Sequence, residues 1–167
     1  STRAFFAVDR EYLYIAVRCG LAAGERALWR ADNTVPIDGA VPWGQDVVEV
    51  LLSPENAHTG TPGDLYQLQV KPTGLVIARR GCLTDPPLAA SEPWNAGARV
   101  AVDADRDAWV AEIALPLAAL GPSARQNRIW GANVTRLDAR RGEYSSWTGE
   151  RNHCYEPESL GNLILLR

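Results

Sequence analysis

Short strand-like runs, each bounded by turn residues, recur along the whole chain of 167 residues, and no long segment shows a helical period. Several strands with turn signals between them and little helix predict an all-β fold, namely an antiparallel β-sandwich of the immunoglobulin or jelly-roll kind. The predicted strands cover residues 4–8, 12–18, 47–53, 65–70, 75–80, 99–103, 108–115, 129–138 and 163–166.

Turn-forming residues predict how several of these strands are connected. Residues 9–11 (DRE) join the first two strands as a tight hairpin, and residues 103–107 join two later ones. Pro116 is tolerated in the first turn of a helix and Gly121 favours its C-terminal cap. One short helix is therefore predicted over residues 116–120.

The chain is predicted to form a single domain over residues 1–167, because no repeat, low-complexity tract or change of composition marks a second one. Long loops are expected at residues 20–42 and 82–97, where a rigid scaffold can present functional side chains. The sequence opens on a strand and lacks the regions of a signal peptide. We therefore expect a domain that was excised from a larger protein or lacks its first strand.

Composition argues against several classes of function. A net charge of -3 gives no polybasic footprint, so nucleic acid and anionic membrane are poor partners. The chain has two histidines and lacks the G-x-S-x-G, H-E-x-x-H and phosphate-loop motifs, which predicts a protein that is not an enzyme. A glycosidase needs only two facing carboxylates, and the count of twenty acidic residues leaves that class open.

Two groups of loop oxygens are candidate sites for a hard cation such as calcium. Asp103, Asp105 and Asp107 have the D-x-D-x-D spacing of a calcium loop, but the Gly and the distant Glu of an EF-hand are missing. A solvated hairpin tip explains these three residues more simply. The second group consists of Glu55, Asn56 and Asp64.

Three cysteines, Cys19, Cys82 and Cys154, are spaced too widely for a zinc knuckle and include no C-x-x-C pair. Their odd number leaves at least one thiol free. Buried, unreactive thiols are the simpler expectation, and one disulfide in an exported protein is the alternative.

A single carboxylate, Glu49, interrupts an apolar strand that follows a loop carrying Trp43. Because successive side chains of a strand alternate between its faces, Glu49 shares a face with Val47 and Leu51. A strand that is apolar on both faces is expected to be buried, and a buried carboxylate is costly without a partner. The partner could be a metal, a ligand hydroxyl or an arginine, for which Arg136 is the candidate.

The strand at 65–70 and the residue after it place Gln67, Gln69 and Lys71 on one face. Amides both donate and accept hydrogen bonds, which suits the recognition of hydroxyl groups. The alternative is a solvated outer face of a sandwich.

Six tryptophans are many for a chain of this length. Trp109 and Trp130 lie in apolar strands and are expected in the core, whereas Trp43 and Trp94 lie beside prolines on loops. A loop tryptophan can stack on the apolar face of a sugar ring, although packing over a sheet edge is the commoner outcome.

Four segments, in this order, resemble a family 9 carbohydrate-binding module, a β-sandwich usually attached to secreted bacterial glycoside hydrolases, especially xylanases. They are YLYIAVR at 12–18, PWGQDVVEVLLSP at 42–54, WVAEIALPLAALG at 109–121 and SSWTGERNHCYEPESLGNLILL at 145–166. The resemblance implies a secreted, non-catalytic protein that binds oligo- or polysaccharide such as cellulose or xylan and directs an attached hydrolase to it. It also implies structural calcium, with ligands that cannot be assigned to particular residues.

The resemblance further implies a site in which two aromatic side chains sandwich a terminal sugar. Trp43 matches the first aromatic residue, while Cys154 occupies the second position and Tyr155 would replace it after a shift of one residue. Gln69 stands where the family has a basic sugar contact. The complete set of predicted ligand-binding residues is Trp43, Glu49, Gln67, Gln69, Lys71, Thr135, Asn152 and Tyr155.

Two other functions remain open at this point. The departure at Cys154 favours a structural or interaction domain of a larger enzyme with a degenerate sugar site. A related sandwich that carries haem and transfers electrons is disfavoured, because such domains commonly bind iron through Met and His and this chain has no Met.

Overall fold

A computed structural model of the protein describes residues 1–23, 45–56, 63–82, 92–149 and 156–166. The strands in chain order are β1 Thr2–Val8, β2 Tyr12–Gly20, β3 Val47–Ser53, β4 Asp64–Val70, β5 Val76–Cys82, β6 Glu92–Pro93, β7 Arg99–Ala104, β8 Ala108–Pro116, β9 Ile129–Asp138, β10 Glu143–Ser146 and β11 Gly161–Ile164. A 3-10 turn spans Leu117–Leu120, the short helix α1 spans Ser123–Gln126, and a second 3-10 turn spans Pro157–Ser159.

Two antiparallel sheets form a β-sandwich. The four-stranded sheet has the order β1-β2-β8-β7. The seven-stranded sheet has the order β10-β9-β3-β4-β5-β6, and β11 also pairs with β9. The prediction of an all-β antiparallel sandwich is confirmed.

The core lies between the two sheets and follows from the alternation of apolar residues. Each sheet supplies one apolar side chain at every second position, and these side chains form one continuous cluster. Trp109 and Trp130 are fully buried in it, as the sequence predicts. The inner rows of the central strands are Leu13, Ile15, Val17, Val48, Val50, Leu52, Leu68, Val70, Ile113, Leu115, Ala132 and Val134.

All nine predicted strands are present, with ends that differ by a few residues. The last one, for example, begins at Gly161 and ends at Ile164. Sequence reasoning missed β6, β10 and α1. The sequence EYSS of β10 has no apolar alternation, and this segment is a strand because it pairs with β9. The part of the chain that the structure describes contains no helix long and apolar enough to cross a membrane.

The predicted turns also form. Asp9 Oδ1 accepts hydrogen bonds from the backbone N–H groups of Glu11 and Tyr12, at 2.8 and 2.7 Å, which closes the first hairpin. Asp105 does the same for Asp107 and Ala108, both at 2.7 Å. The predicted short helix ends at Gly121, whose φ of 77° is a conformation that favours glycine.

Candidate functional site

The outer face of the seven-stranded sheet, turned away from the core, collects the predicted polar residues. Glu49 lies in the middle of β3, directly opposite Gln69 of β4 on one side and Thr135 of β9 on the other. Gln67 lies one position along the same face, opposite Leu51. Four of the eight predicted ligand-binding residues therefore come together around one carboxylate, and we call them the Glu49 cluster.

Hydrogen bonds hold the Glu49 cluster together. The side-chain amides of Gln67 and Gln69 both donate to Glu49 Oε1, the latter at 3.0 Å. The hydroxyl of Thr135 donates to Glu49 Oε2 at 3.0 Å. The carboxylate thus receives donors from both neighbouring strands, which compensates for its burial at 4% exposure.

Most of this polar face is buried, so the alternative of a solvated sheet face is wrong. Gln67, Lys71 and Thr135 are buried, and Gln69 is half-buried. Apolar residues share the face: Val47, Ile77 and Leu137 pack together, and Leu51 and Leu65 are fully buried. Of the four cluster residues, Gln69 is therefore the most accessible to a ligand.

Arg136 does not pair with Glu49, so that alternative is also wrong. The residues on either side of Arg136 along β9, Thr135 and Leu137, belong to the outer face, so its own side chain points to the opposite side of the sheet. Its guanidinium donates to the carbonyl oxygen of Gly20 at 3.0 Å and to Asp138 Oδ2 at 3.2 Å.

Two further residues on this face were not predicted. Asn133 lies on β9 two positions before Thr135, and its side-chain amide donates to the hydroxyl of Ser146 at 3.0 Å. Arg79 lies on β5 directly opposite Gln67, where it brings a half-buried positive charge to the face. Alternation along each strand could have identified both residues. It places Asn133 on the same face of β9 as Thr135, and Arg79 on the same face of β5 as Ile77.

The structure does not test the predicted roles of Trp43, Asn152, Cys154 and Tyr155, which lie outside the described residues. Trp94 is described, and its ring packs against Tyr66 with a centroid distance of 4.8 Å and contacts the edge of the core. Trp94 therefore packs over the sheet edge rather than presenting a platform for a ligand.

The candidate cation sites have other roles in the described structure. Asp105 closes the β7–β8 hairpin, as expected for a residue at a hairpin tip. Glu55 accepts from the backbone N–H of Asp64 at 2.8 Å and from the hydroxyl of Ser123 at 3.0 Å, and Asp64 forms an ion pair with Arg80 at 2.7 Å. Within the described ranges, no group of three or more His, Cys, Asp or Glu side chains is arranged to bind a metal.

Cys19 is a free, buried thiol, whereas the expectation for Cys82 and Cys154 is not tested by the described residues. Cys19 lies on the inner side of β2, and burial raises its pKa to about 12. The thiol is therefore protonated and unreactive near neutral pH.

Comparisons with known proteins identify the same fold in solved structures. No protein-family model matches the sequence, and no curated protein matches it significantly. A candidate carbohydrate-binding protein from Bacteroides uniformis aligns over 99% of this chain and 78% of its own, at 16% identity and a TM-score of 0.69.

Two structures of a family 9 carbohydrate-binding module from Caldicellulosiruptor kristjanssonii also align over 99% of this chain. The complex with cellotriose has 13% identity, a TM-score of 0.59 and 74% of its own chain covered. The complex with glucose has 12% identity, a TM-score of 0.60 and 76% of its chain covered. The chain therefore has the fold of a family 9 carbohydrate-binding module.

Proposed function

We propose that this protein is a non-catalytic carbohydrate-binding module. The observation that supports this function best is the Glu49 cluster, a carboxylate with two amides and a hydroxyl on the outer face of a sheet. Sugar hydroxyls both donate and accept, and carboxylates and amides together offer both kinds of partner. The likeness in fold to a module solved with cellotriose and with glucose adds support.

In the proposed mode of binding, Trp43 stacks on the apolar face of a sugar ring, and the hydroxyls of that sugar reach the Glu49 cluster. The C–H groups of a pyranose meet an indole face favourably, and its hydroxyls point outward at the edge of the ring. Gln69 is the proposed first contact because it is the accessible member of the cluster. Asn152, Tyr155 and Lys71 are the proposed additional contacts.

The proposed role is to hold an attached glycoside hydrolase close to an extracellular polysaccharide. Binding at one domain raises the effective concentration of substrate at another that is linked to it, without any chemistry by the binding domain. A secreted location follows from the same proposal.

The test is a calorimetric titration of cello- and xylo-oligosaccharides into the wild-type protein and the Trp43→Ala variant. We expect saccharide binding by the wild type and a loss of about tenfold or more in affinity for the variant, which corresponds to about 1.4 kcal/mol. Trp147→Ala is the matched control, because Trp147 is 53% exposed and lies beside β10, outside the Glu49 cluster. The Trp147→Ala variant should bind the oligosaccharides with the same affinity as the wild type.

Two results would contradict parts of the proposal. An unchanged affinity in Trp43→Ala would remove Trp43 from the site. A folded wild-type protein that binds nothing on a glycan array would instead favour an interaction domain with a degenerate sugar site.

A further inference from the structure

Strand β1 forms one edge of the four-stranded sheet in the described part of the chain. This strand lies at the end of the four-stranded sheet and pairs with β2 on one side, and no other strand in the described part of the chain pairs with it. The pairing with β2 runs through all seven residues without a bulge, and the sequence TRAFFAV contains no proline or lysine. Bulges, prolines and lysines are common devices that keep edge strands from pairing with another chain, and β1 has none of these three.

The side chains of β1 are also incompletely covered. Phe5 points outward in the middle of the strand and is 58% exposed. On the inner side, Ala4 and Phe6 are only partly buried and line a cavity of about 440 Å³ between β1 and the edge formed by β10 and β11. Val134, Leu163 and Trp147 line the same cavity from the other sheet, together with polar and charged side chains that include Arg136, Asp138 and Glu143. Another strand beside β1 would cover apolar side chains on both faces of the sheet.

We propose that the additional strand is β1 of a second copy of this chain, paired antiparallel about a two-fold axis at Phe5. An isologous pairing of this kind joins the same residues from both copies. In this register Phe5 lies opposite Phe5, and Ala4 lies opposite Phe6 of the other copy. Apolar residues thus meet on both faces, and the two four-stranded sheets become one sheet of eight strands.

The charges near β1 fit the same register. Arg3 lies opposite Ala7 of the second copy, so the two Arg3 side chains are kept apart. Its diagonal neighbour in the second copy is Asp9, within reach of a long side chain across paired strands. Hydrogen bonds from the backbone N–H groups of Glu11 and Tyr12 lower the pKa of Asp9, which keeps its carboxylate charged. The symmetric pairing therefore brings two Arg3–Asp9 contacts and no like charges opposite each other.

The test uses the position that lies on the two-fold axis. We expect the wild-type chain to sediment with the mass of a dimer at high concentration and to dissociate on dilution. Phe5→Lys places two positive charges opposite each other and Phe5→Glu places two negative ones, so each variant alone should sediment as a monomer. An equimolar mixture of the two variants should recover the dimer, because lysine then lies opposite glutamate.

Ala101→Lys is the matched control, because Ala101 is exposed on β7, the strand at the opposite end of the four-stranded sheet from β1. This variant should dimerise like the wild type, and circular dichroism of every variant checks that it is folded. A wild-type protein that remains monomeric throughout the concentration range overturns the proposal and leaves the edge to a strand of different sequence. A dimer that persists in Phe5→Lys, or a mixture that stays monomeric, overturns it as well.

Discussion

The outer faces of the two sheets have opposite environments although both carry polar residues. On the four-stranded sheet, outward residues such as Arg99, Ala101 and Glu112 are exposed, and burial alternates along β1 and β7. On the seven-stranded sheet all seven residues of β3 are buried, including Glu49. One face is ordinary protein surface, whereas the other is largely buried and includes buried polar groups.

This difference shows what strand alternation can and cannot establish. A period of two assigns each residue to a face, but it does not say whether that face meets water. Glu112 and Glu49 both lie in the middle of a strand between residues of the opposite face. Only Glu49 is enclosed, with donors from two neighbouring strands. Buried polar residues that are fully bonded to one another rigidify the sheet and hold their own side chains in fixed positions.

The largest expected effect comes from an apolar residue of the enclosed face. Leu51 is fully buried there, so Leu51→Ala removes buried methyl groups and leaves a cavity, which should cost about 3 kcal/mol in the free energy of unfolding. Ile164→Ala is the matched control, because that strand residue is 60% exposed, and it should change stability by less than about 1 kcal/mol. Urea denaturation of the three proteins measures both. Equal losses in the two variants would show that the outer face of β3 is not enclosed.

The next effect compares the two mid-strand carboxylates. Glu49→Ala removes the acceptor of Gln67, Gln69 and Thr135 and leaves their donors without it, which should cost about 2 kcal/mol in unfolding free energy. Glu112→Ala, on the exposed face, should stay within about 0.5 kcal/mol of the wild type. The same denaturation experiment serves for both. If Glu49→Ala were as stable as Glu112→Ala, the hydrogen-bonded cluster would not contribute to folding.

The strands and the core were predictable because their signal lies within each segment. The runs Val48-x-Val50-x-Leu52 and Leu13-x-Ile15-x-Val17 show the period of a strand and assign the inner face without any knowledge of partners. β10 was missed for the corresponding reason, since EYSS contains no such run and depends on β9 for its conformation.

The site was predictable only in part, because register between strands is a property of pairs. The sequence placed Glu49 on a buried strand and Gln67 with Gln69 on one face, and the structure agrees. It did not show that these amides bond to Glu49, because the pairing of β3 with β4 depends on packing across the sheet. The proposed partner Arg136 failed for a different reason, since alternation along β9 places it on the opposite face from Thr135, which lies beside Glu49.

The effect that changes stability least near neutral pH concerns Cys19, which lies on the inner side of the four-stranded sheet. The thiol lies on the inner face, and burial raises its pKa from 9.0 to about 12. The unfolded chain therefore releases this proton from about pH 9 upward while the folded chain retains it, so stability contributed by the buried thiol falls as the pH rises towards 12. Above pH 9 the release of this one proton lowers the unfolding free energy of the wild type by at most about 1.4 kcal/mol per pH unit. Cys19→Ala should remove this contribution to the slope. Denaturation curves of both proteins at several alkaline pH values measure this slope, which is independent of any constant loss from the smaller side chain. Identical slopes would mean that Cys19 ionises as readily in the folded protein as in the unfolded chain, and that the inner face of β2 is open to solvent.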